Sequence, residues 1–220
     1  MKHCGINNNI LSWICSFLNG RTQKVLVEGS KSSSRPVQSG VPQGTVLGPL
    51  LFLIYINDID QGLSPGTQIR LFADNSLLYR TINTRHDTTI LQKDLNTLQN
   101  WESTWKMQFH PQKCQVLRIT NKPKAIKNTY NIHGHPLEET NSAKYIGIII
   151  DNKLIWKEHI STTSRKANKV LAFLRRNVSN CPQHIKADCY KTLVRPILEY
   201  GCAVWDPHHR NDIENREKNS

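Results

Sequence analysis

Asp74 and Asn75 are the residues whose types and spacing point most directly to chemistry. They sit together in Leu71-Phe72-Ala73-Asp74-Asn75, between two short strand-like runs, Gln68 to Ala73 and Ser76 to Arg80. A carboxylate at the tip of a tight hairpin concentrates negative charge where a cation could sit. The amide beside it offers one neutral carbonyl oxygen and no charge. Taken alone, Ala-Asp-Asn is also an ordinary solvated turn, because Asp and Asn both tolerate turn conformations. Only the flanking segments can decide between the two readings.

About thirty residues upstream lies Gly40-Val41-Pro42-Gln43-Gly44. Two glycines and a proline in five residues mark a rigid, close-approach loop. Thr45 after it is a candidate N-cap. Val46, Leu47, Leu50, Leu51 and Ile54 then fall at helical spacing. Pro49 falls in the first turn, where a backbone N–H has no intrahelical partner. Residues 57–65 end that helix.

The remaining elements are read from periodicity. Ser12 to Leu18 reads as the end of a helix stopped by Asn19-Gly20. Val25 and Val27 alternate in a strand from Lys24 to Glu28, Gly29 to Ser34 is a polar turn, and Arg35 to Gln38 can pair back. Asp87 or Thr88 caps a helix whose apolar face is Leu91, Leu95, Leu98, Trp101 and Trp105. Phe109 to Lys113 is a connector, and Asn121 to Asn128 is a basic loop. Strands are expected over Gln115 to Thr120, Tyr130 to His133 and Lys144 to Ile150. An amphipathic helix from Ile160 to Val178 buries Ala167, Val170, Leu171, Leu174 and Val178. It leaves Arg165, Lys166, Lys169, Arg175 and Arg176 on the wet face. A last helix, Lys186 to Tyr200, uses Tyr190, Leu193, Val194 and Ile197 and is kinked near Pro196.

The chain has 220 residues and a net charge of +12, from 29 Lys/Arg against 17 Asp/Glu. Trp101 to Tyr200 holds 17 of the basic and 7 of the acidic residues, so +10 of the charge lies there. A basic C-terminal half suits a polyanionic partner. The longest apolar run, around Leu50 to Ile56, is far too short to span a bilayer, so no membrane partner is expected. Six cysteines at positions 4, 15, 114, 181, 189 and 202 form no Cys-x-x-Cys pair. Cys181, His184, Cys189, Cys202, His208 and His209 match no standard zinc spacing. Without a visible signal peptide, the expectation is an intracellular protein, cytoplasmic or nuclear, with reduced thiols.

Several runs together resemble reverse transcriptases of the jockey-like non-LTR retrotransposon type. They are Ser39-Gly40-Val41-Pro42-Gln43-Gly44-Thr45-Val46-Leu47-Gly48-Pro49-Leu50, then Leu71 to Asn75, then Phe109-His110-Pro111-Gln112-Lys113-Cys114. Tyr145-Ile146-Gly147-Ile148-Ile149-Ile150-Asp151, with Leu154, Trp156 and His159, and finally Trp205-Asp206-Pro207-His208, extend the likeness from about Gly5 to Ile213. The family carries two aspartates at the hairpin, where this chain has Asp74 and Asn75. His110 replaces the family's usual asparagine.

The resemblance implies an α/β (α+β) fold. Residues 1–150 would form part of a right-hand polymerase palm, with a small antiparallel sheet and flanking helices. Residues 151–207 would form a helical thumb and 208–220 a polar tail. No segment like the family's Asp-Phe-x-Lys-Ala-Phe-Asp occurs in this sequence. Met1 to Gly20 resembles the stretch after that segment, so the fingers and the first palm strand are expected to be missing, with an uncovered sheet edge.

The implied activity is template-directed addition of dNTP to a DNA primer 3′-OH on an RNA template. The family's two Mg²⁺ ions clamp the attacking and leaving oxygens. Asp74 is then the metal ligand, and Asn75 a degenerate catalytic position that weakens ion binding. Gly40, Pro42, Gln43 and Gly44 flank the incoming nucleotide and the template base. Lys113 lies near the leaving pyrophosphate. Tyr145 and Gly147 belong to the primer grip, and the basic helix residues Arg165, Lys166, Lys169, Arg175 and Arg176 track the nucleic-acid backbone. On this reading the chain alone is inactive or nearly so. The alternatives are a nucleic-acid-binding module without chemistry and a decayed mobile-element product.

Overall fold

The computed structural model describes residues 6–37 and 40–205. Cys4, Gln38, Ser39, Asp206, Pro207, His208, His209 and the polar tail lie outside the described residues. The chain divides into two compact units, one of residues up to 82 with 86–105, the other of 83–85 with residues from 106 onward.

In the first unit, helix α1 spans Asn8–Leu18. Its N-cap is Asn7, whose side chain accepts from the Ile10 N–H at 3.1 Å. It stops where expected, with Gly20 at φ +65°. The next strands are shorter than their alternation suggests. β1 (Thr22–Gln23) pairs with β4 (Arg35–Pro36), and β2 (Leu26–Val27) pairs with β3 (Ser30–Lys31). The turn is two residues, Glu28-Gly29, both at positive φ, rather than the whole polar stretch from 29 to 34.

Helix α2 spans Leu47–Ile56. Its core residues are Leu51 and Ile56, while Leu50 is exposed and Val46 is 95% exposed. Spacing could not pick this face, because nearly every residue of the helix is apolar. β5 (Thr67–Phe72) and β6 (Asn75–Arg80) form the longest hairpin. Helix α3 spans Arg85–Trp105. It starts ahead of the caps expected at Asp87 or Thr88, so both residues lie in its first turns. Leu95, Leu98 and Trp101 are buried as anticipated, and Trp105 is partly exposed. The Trp101 indole N–H donates to Asp58 at 2.8 Å.

In the second unit, a 3₁₀ turn (Pro111–Lys113) leads into β7 (Gln115–Leu117), which pairs in parallel with β10 (Glu138–Thr140). Arg118 grips Glu139 with two bonds, at 2.6 and 2.9 Å. β8 (Asn131–Ile132) and β9 (His135–Pro136) make a small hairpin. The strand expected from Lys144 to Ile150 is instead a hairpin of β11 (Ser142–Tyr145) and β12 (Ile148–Asp151). Ile146 (φ +46°) and Gly147 (φ +81°) are its two turn residues, as a primed turn requires.

Helix α4 spans Lys157–Asn177. Ala167 and Leu174 are buried, with Val170, Leu171 and Val178 packed beside them, so the anticipated stripe is the core. The last helix is three pieces: α5 (Gln183–Cys189), one π-turn (Tyr190–Val194) and α6 (Arg195–Glu199). The wide turn adds a residue ahead of Pro196 and changes which residues face inward. Val194 and Leu198 are buried, whereas Leu193, expected inside, is 48% exposed.

The architecture is therefore mixed α and β. In place of one small sheet, the described residues hold six separate two-stranded ladders. Five are antiparallel and one is parallel. Among the described residues, every strand has a single ladder partner.

Candidate functional site

The two strand-like runs pair antiparallel as the β5–β6 hairpin, with Phe72 opposite Asn75. Ala73 and Asp74 make the turn, and Ala73 is held at φ +51°, a left-handed conformation uncommon for a residue with a Cβ. Asp74 and Asn75 are both exposed at the tip. The Asn75 amide donates toward the Asp74 carboxylate at 3.4 Å. Among the described residues, no group of three His, Cys, Asp or Glu side chains could hold a metal ion. One carboxylate, turned toward a neighbouring amide hydrogen, does not fit a two-ion site. It suits at most one hard cation whose other ligands are water and phosphate.

The base of this hairpin carries a residue that sequence reasoning missed. Asp94, on α3, is 0% exposed. One of its oxygens accepts from the Ser64 N–H at 2.9 Å and the Ser64 hydroxyl at 2.7 Å. The other accepts from the Thr67 hydroxyl at 2.5 Å. Arg80, which pairs with Thr67 across the hairpin, donates to Thr67 at 3.0 Å and to the Pro65 carbonyl at 2.8 Å. Arg80 also lies 3.5 Å from Asp87. A buried carboxylate is costly unless fully bonded; here its bonds fasten the start of β5 to α3, and Arg80 ties β6 in through Thr67 and Asp87. The available signal was a charged residue directly before Leu95, on the helix's apolar side.

In the loop before α2, Gly40 and Gly44 adopt φ +73° and +75°. A Cβ on either would meet nothing within 4 Å. Their backbone conformation therefore requires glycine, and their surroundings are open. The Gln43 side chain is exposed. The N-cap position falls to Val46, which makes no side-chain cap bond, while Thr45 one residue earlier bridges loop and helix: its hydroxyl donates to the Pro42 carbonyl at 2.9 Å and accepts from the Gly48 N–H at 3.1 Å. Gly48 lets loop and helix meet, because a Cβ there would lie 2.6 Å from the Pro42 oxygen.

In the second unit, Lys113 ends its 3₁₀ turn with an exposed side chain. The β11–β12 turn is covered by an aromatic ring from farther along the chain. The Tyr200 hydroxyl donates to the Ile146 carbonyl at 2.9 Å. A Cβ on Gly147 would lie 3.0 Å from that ring. Tyr145 is half-buried opposite Ile148.

Below the turn, Asp151 joins β12 to α4. Its carboxylate accepts from the N–H groups of Lys153 (2.8 Å), Ile155 (3.0 Å) and Trp156 (2.9 Å). Burial pulls its pKa up, but the backbone N–H bonds from Trp156, Ile155, Lys153 and Leu154 together hold it below the usual value. Leu154 and Trp156 take positive φ to aim those groups. His159 is buried, and its Nδ1 accepts from the Ile149 N–H at 3.3 Å. Its ring meets Trp205 edge-on at 4.8 Å. Burial first, then the charge of Lys166, lowers its pKa.

Arg165, Lys166, Lys169, Arg175 and Arg176 are all exposed on α4. At about 100° per residue, Arg165, Lys169 and Arg176 fall within roughly 40° of one another, opposite the buried stripe. Lys166 and Arg175 flank them. The row can follow a line of phosphates without reading sequence.

The family described as reverse transcriptase (RNA-dependent DNA polymerase) matches residues 1–150. The chain is 30% identical over 203 residues to the RNA-directed DNA polymerase from mobile element jockey of Drosophila melanogaster, covering 86% of this chain and 22% of that protein. It is 32% identical over 216 residues to the jockey polymerase of Drosophila funebris, covering 91% and 23%. It is 28% identical over 197 residues to the probable RNA-directed DNA polymerase from transposon X-element of Drosophila melanogaster, covering 86% and 22%. The chain thus spans under a quarter of the length of these relatives. No solved structure matches it.

Proposed function

This chain belongs to the reverse transcriptase family, and from that premise we propose that it is a piece of a retrotransposon RNA-directed DNA polymerase with impaired chemistry. The observation that carries this reading is the β5–β6 tip. It presents Asp74 on a tight exposed turn, with Asn75 where the resemblance calls for a second carboxylate. Residues 1–150 serve as palm, 151–207 as thumb and 208–220 as tail.

RNA template, DNA primer and dNTP are the partners. Gly40, Pro42, Gln43 and Gly44 line the nucleotide and template base, with backbone left open by the two glycines. Lys113 neutralises charge at the leaving phosphates, and Tyr145 and Gly147 support the primer. Arg165, Lys166, Lys169, Arg175 and Arg176 hold the backbone through salt-sensitive contacts. Mg²⁺, when bound, supplies charge neutralisation at the transferring phosphoryl group. Asp74 is the ligand this chain offers it. Asn75 lowers the tip's negative charge and donates a hydrogen bond to the one carboxylate present. Since electrostatic stabilisation is a large part of such catalysis, the expected consequence is a rate loss rather than a loss of primer binding.

Primer extension on an RNA template tests this. The chain and its Asn75→Asp variant are compared, each alone and each joined to the aspartate-bearing segment of a longer relative. Extension by the joined Asn75→Asp protein well above the joined Asn75 protein supports the reading. Equal rates would remove Asn75 as the cause of impairment. A second reading, nucleic-acid binding without chemistry, is favoured by the exposed basic row on α4. It takes over if the joined Asn75→Asp protein binds primer–template and extends nothing.

A further inference from the structure

We propose that Tyr200 is part of the primer-contacting surface, its exposed ring packing against the primer's terminal nucleoside beside the β11–β12 turn. The assignment rests on the reading of Tyr145 and Gly147 as the primer support.

Tyr200 is held from both ends. Its hydroxyl donates to the Ile146 carbonyl at 2.9 Å. Its own carbonyl accepts from the Trp205 indole N–H at 2.9 Å. Trp205 is 2% exposed, packed with Ile148, Trp156 and Ile160. Gly201 (φ +68°) brings the backbone down onto Ile148, so closely that a Cβ there would lie 2.6 Å from the Ile148 Cδ1. Gly147 clears the space that the ring occupies. Two glycines, two hydrogen bonds and a buried tryptophan therefore fix the orientation of one aromatic side chain.

Yet Tyr200 remains 52% exposed. A tyrosine that served only to fill the core would bury its ring. An aromatic face fixed in orientation and open on one side is a stacking platform, tolerant of base identity because every base has a π-face. Its orientation is settled before binding, so little side-chain freedom is lost on contact. The hydroxyl is already engaged with Ile146, so contact with nucleic acid falls to the ring. The bland alternative is a brace that only steadies the turn.

The test uses the full 220-residue chain and an RNA template annealed to a DNA primer ending in iodouracil. Photocrosslinks are mapped by mass spectrometry. Affinities are measured by fluorescence anisotropy for the unchanged chain, Tyr200→Leu and Tyr200→Phe. The expected result is a crosslink at Tyr200, about tenfold weaker binding by Tyr200→Leu, and near-normal binding by Tyr200→Phe, which keeps the ring. A crosslink at Tyr145 with none at Tyr200 overturns the assignment and leaves the primer support standing. So does a folded Tyr200→Leu protein that binds like the unchanged chain. If the unchanged chain binds no primer–template, the primer support itself fails and the assignment falls with it. Should Tyr200→Leu not fold, the crosslink site on the unchanged chain and the affinity of Tyr200→Phe decide.

Discussion

The β5–β6 hairpin is fastened at its base and open at its tip; the β11–β12 hairpin is fastened at both. In the first, the tip residues Asp74 and Asn75 touch little but each other, while Asp94 is sealed beneath the strands. In the second, Tyr200 covers the turn, and Asp151 and His159 tie down the strand end. An open tip on a rigid base suits a group that must meet a ligand from solvent. A covered turn suits a surface whose shape must be set in advance. The cost of each arrangement lies in a different place, and substitutions can expose it.

The largest effect should come from Asp94→Ala. It leaves the buried Thr67 hydroxyl and the partly buried Ser64 hydroxyl without their acceptor, so we expect a loss of about 3 kcal/mol in urea unfolding. Loss under 1 kcal/mol would mean the first hairpin's base is not what holds it. Next is Gly201→Ala, which forces both a left-handed backbone and a 2.6 Å approach to Ile148. About 2 kcal/mol is expected, read as a lower unfolding midpoint. A neutral result would mean that the segment covering the second turn is loosely placed.

Asp151→Asn replaces one accepting oxygen with an NH2 group facing backbone N–H groups, so it should cost about 1 kcal/mol. Because the folded pKa of Asp151 is lowered, its contribution is complete above the ordinary carboxylate value and fades as pH falls through the folded value. Asp151→Asn should flatten the acid limb of the unfolding curve; an unchanged limb would deny it that role.

The smallest effect is the titration of His159, which faces Lys166, Trp205 and the Ile149 N–H. Its folded pKa lies below 6.5. The unfolded chain therefore takes up the proton first, and stability is full above that value and declines below it. Unfolding midpoints measured from neutral pH downward should fall, with a shallower fall in His159→Gln. Equal slopes would mean that protonation of His159 is not what loosens the second hairpin.

The legible parts of this structure were those where pattern and packing coincide. The apolar stripe of α4 repeats at helical spacing against a polar background, so its buried face could be read directly. The β5–β6 arms are two short strand-like runs around a two-residue turn. The segment from Lys144 to Ile150 looked like one strand because it is largely apolar after Lys144, and Gly147 was assigned to the primer grip rather than to a reversal. α2 defeated the same method, since a helix apolar on all sides has no preferred phase. The Asp94 cluster joins residues thirty and twenty-seven apart, and no local pattern encodes such a contact. Tyr200 was illegible for the same reason, lying fifty-four positions from Ile146.

The π-turn at Tyr190–Val194 makes the chain tolerant of a change in length at one point. Such a turn is an α-helix that has absorbed one extra residue without rotating the residues beyond it. Removing the exposed Leu193 should let the helix close to ordinary pitch, with Leu198 still in the core and Tyr200 still over its glycine. The same deletion inside α4 would swing everything downstream by about 100°. Frame-preserving loss of a single codon is thus survivable in one helix and ruinous in its neighbour.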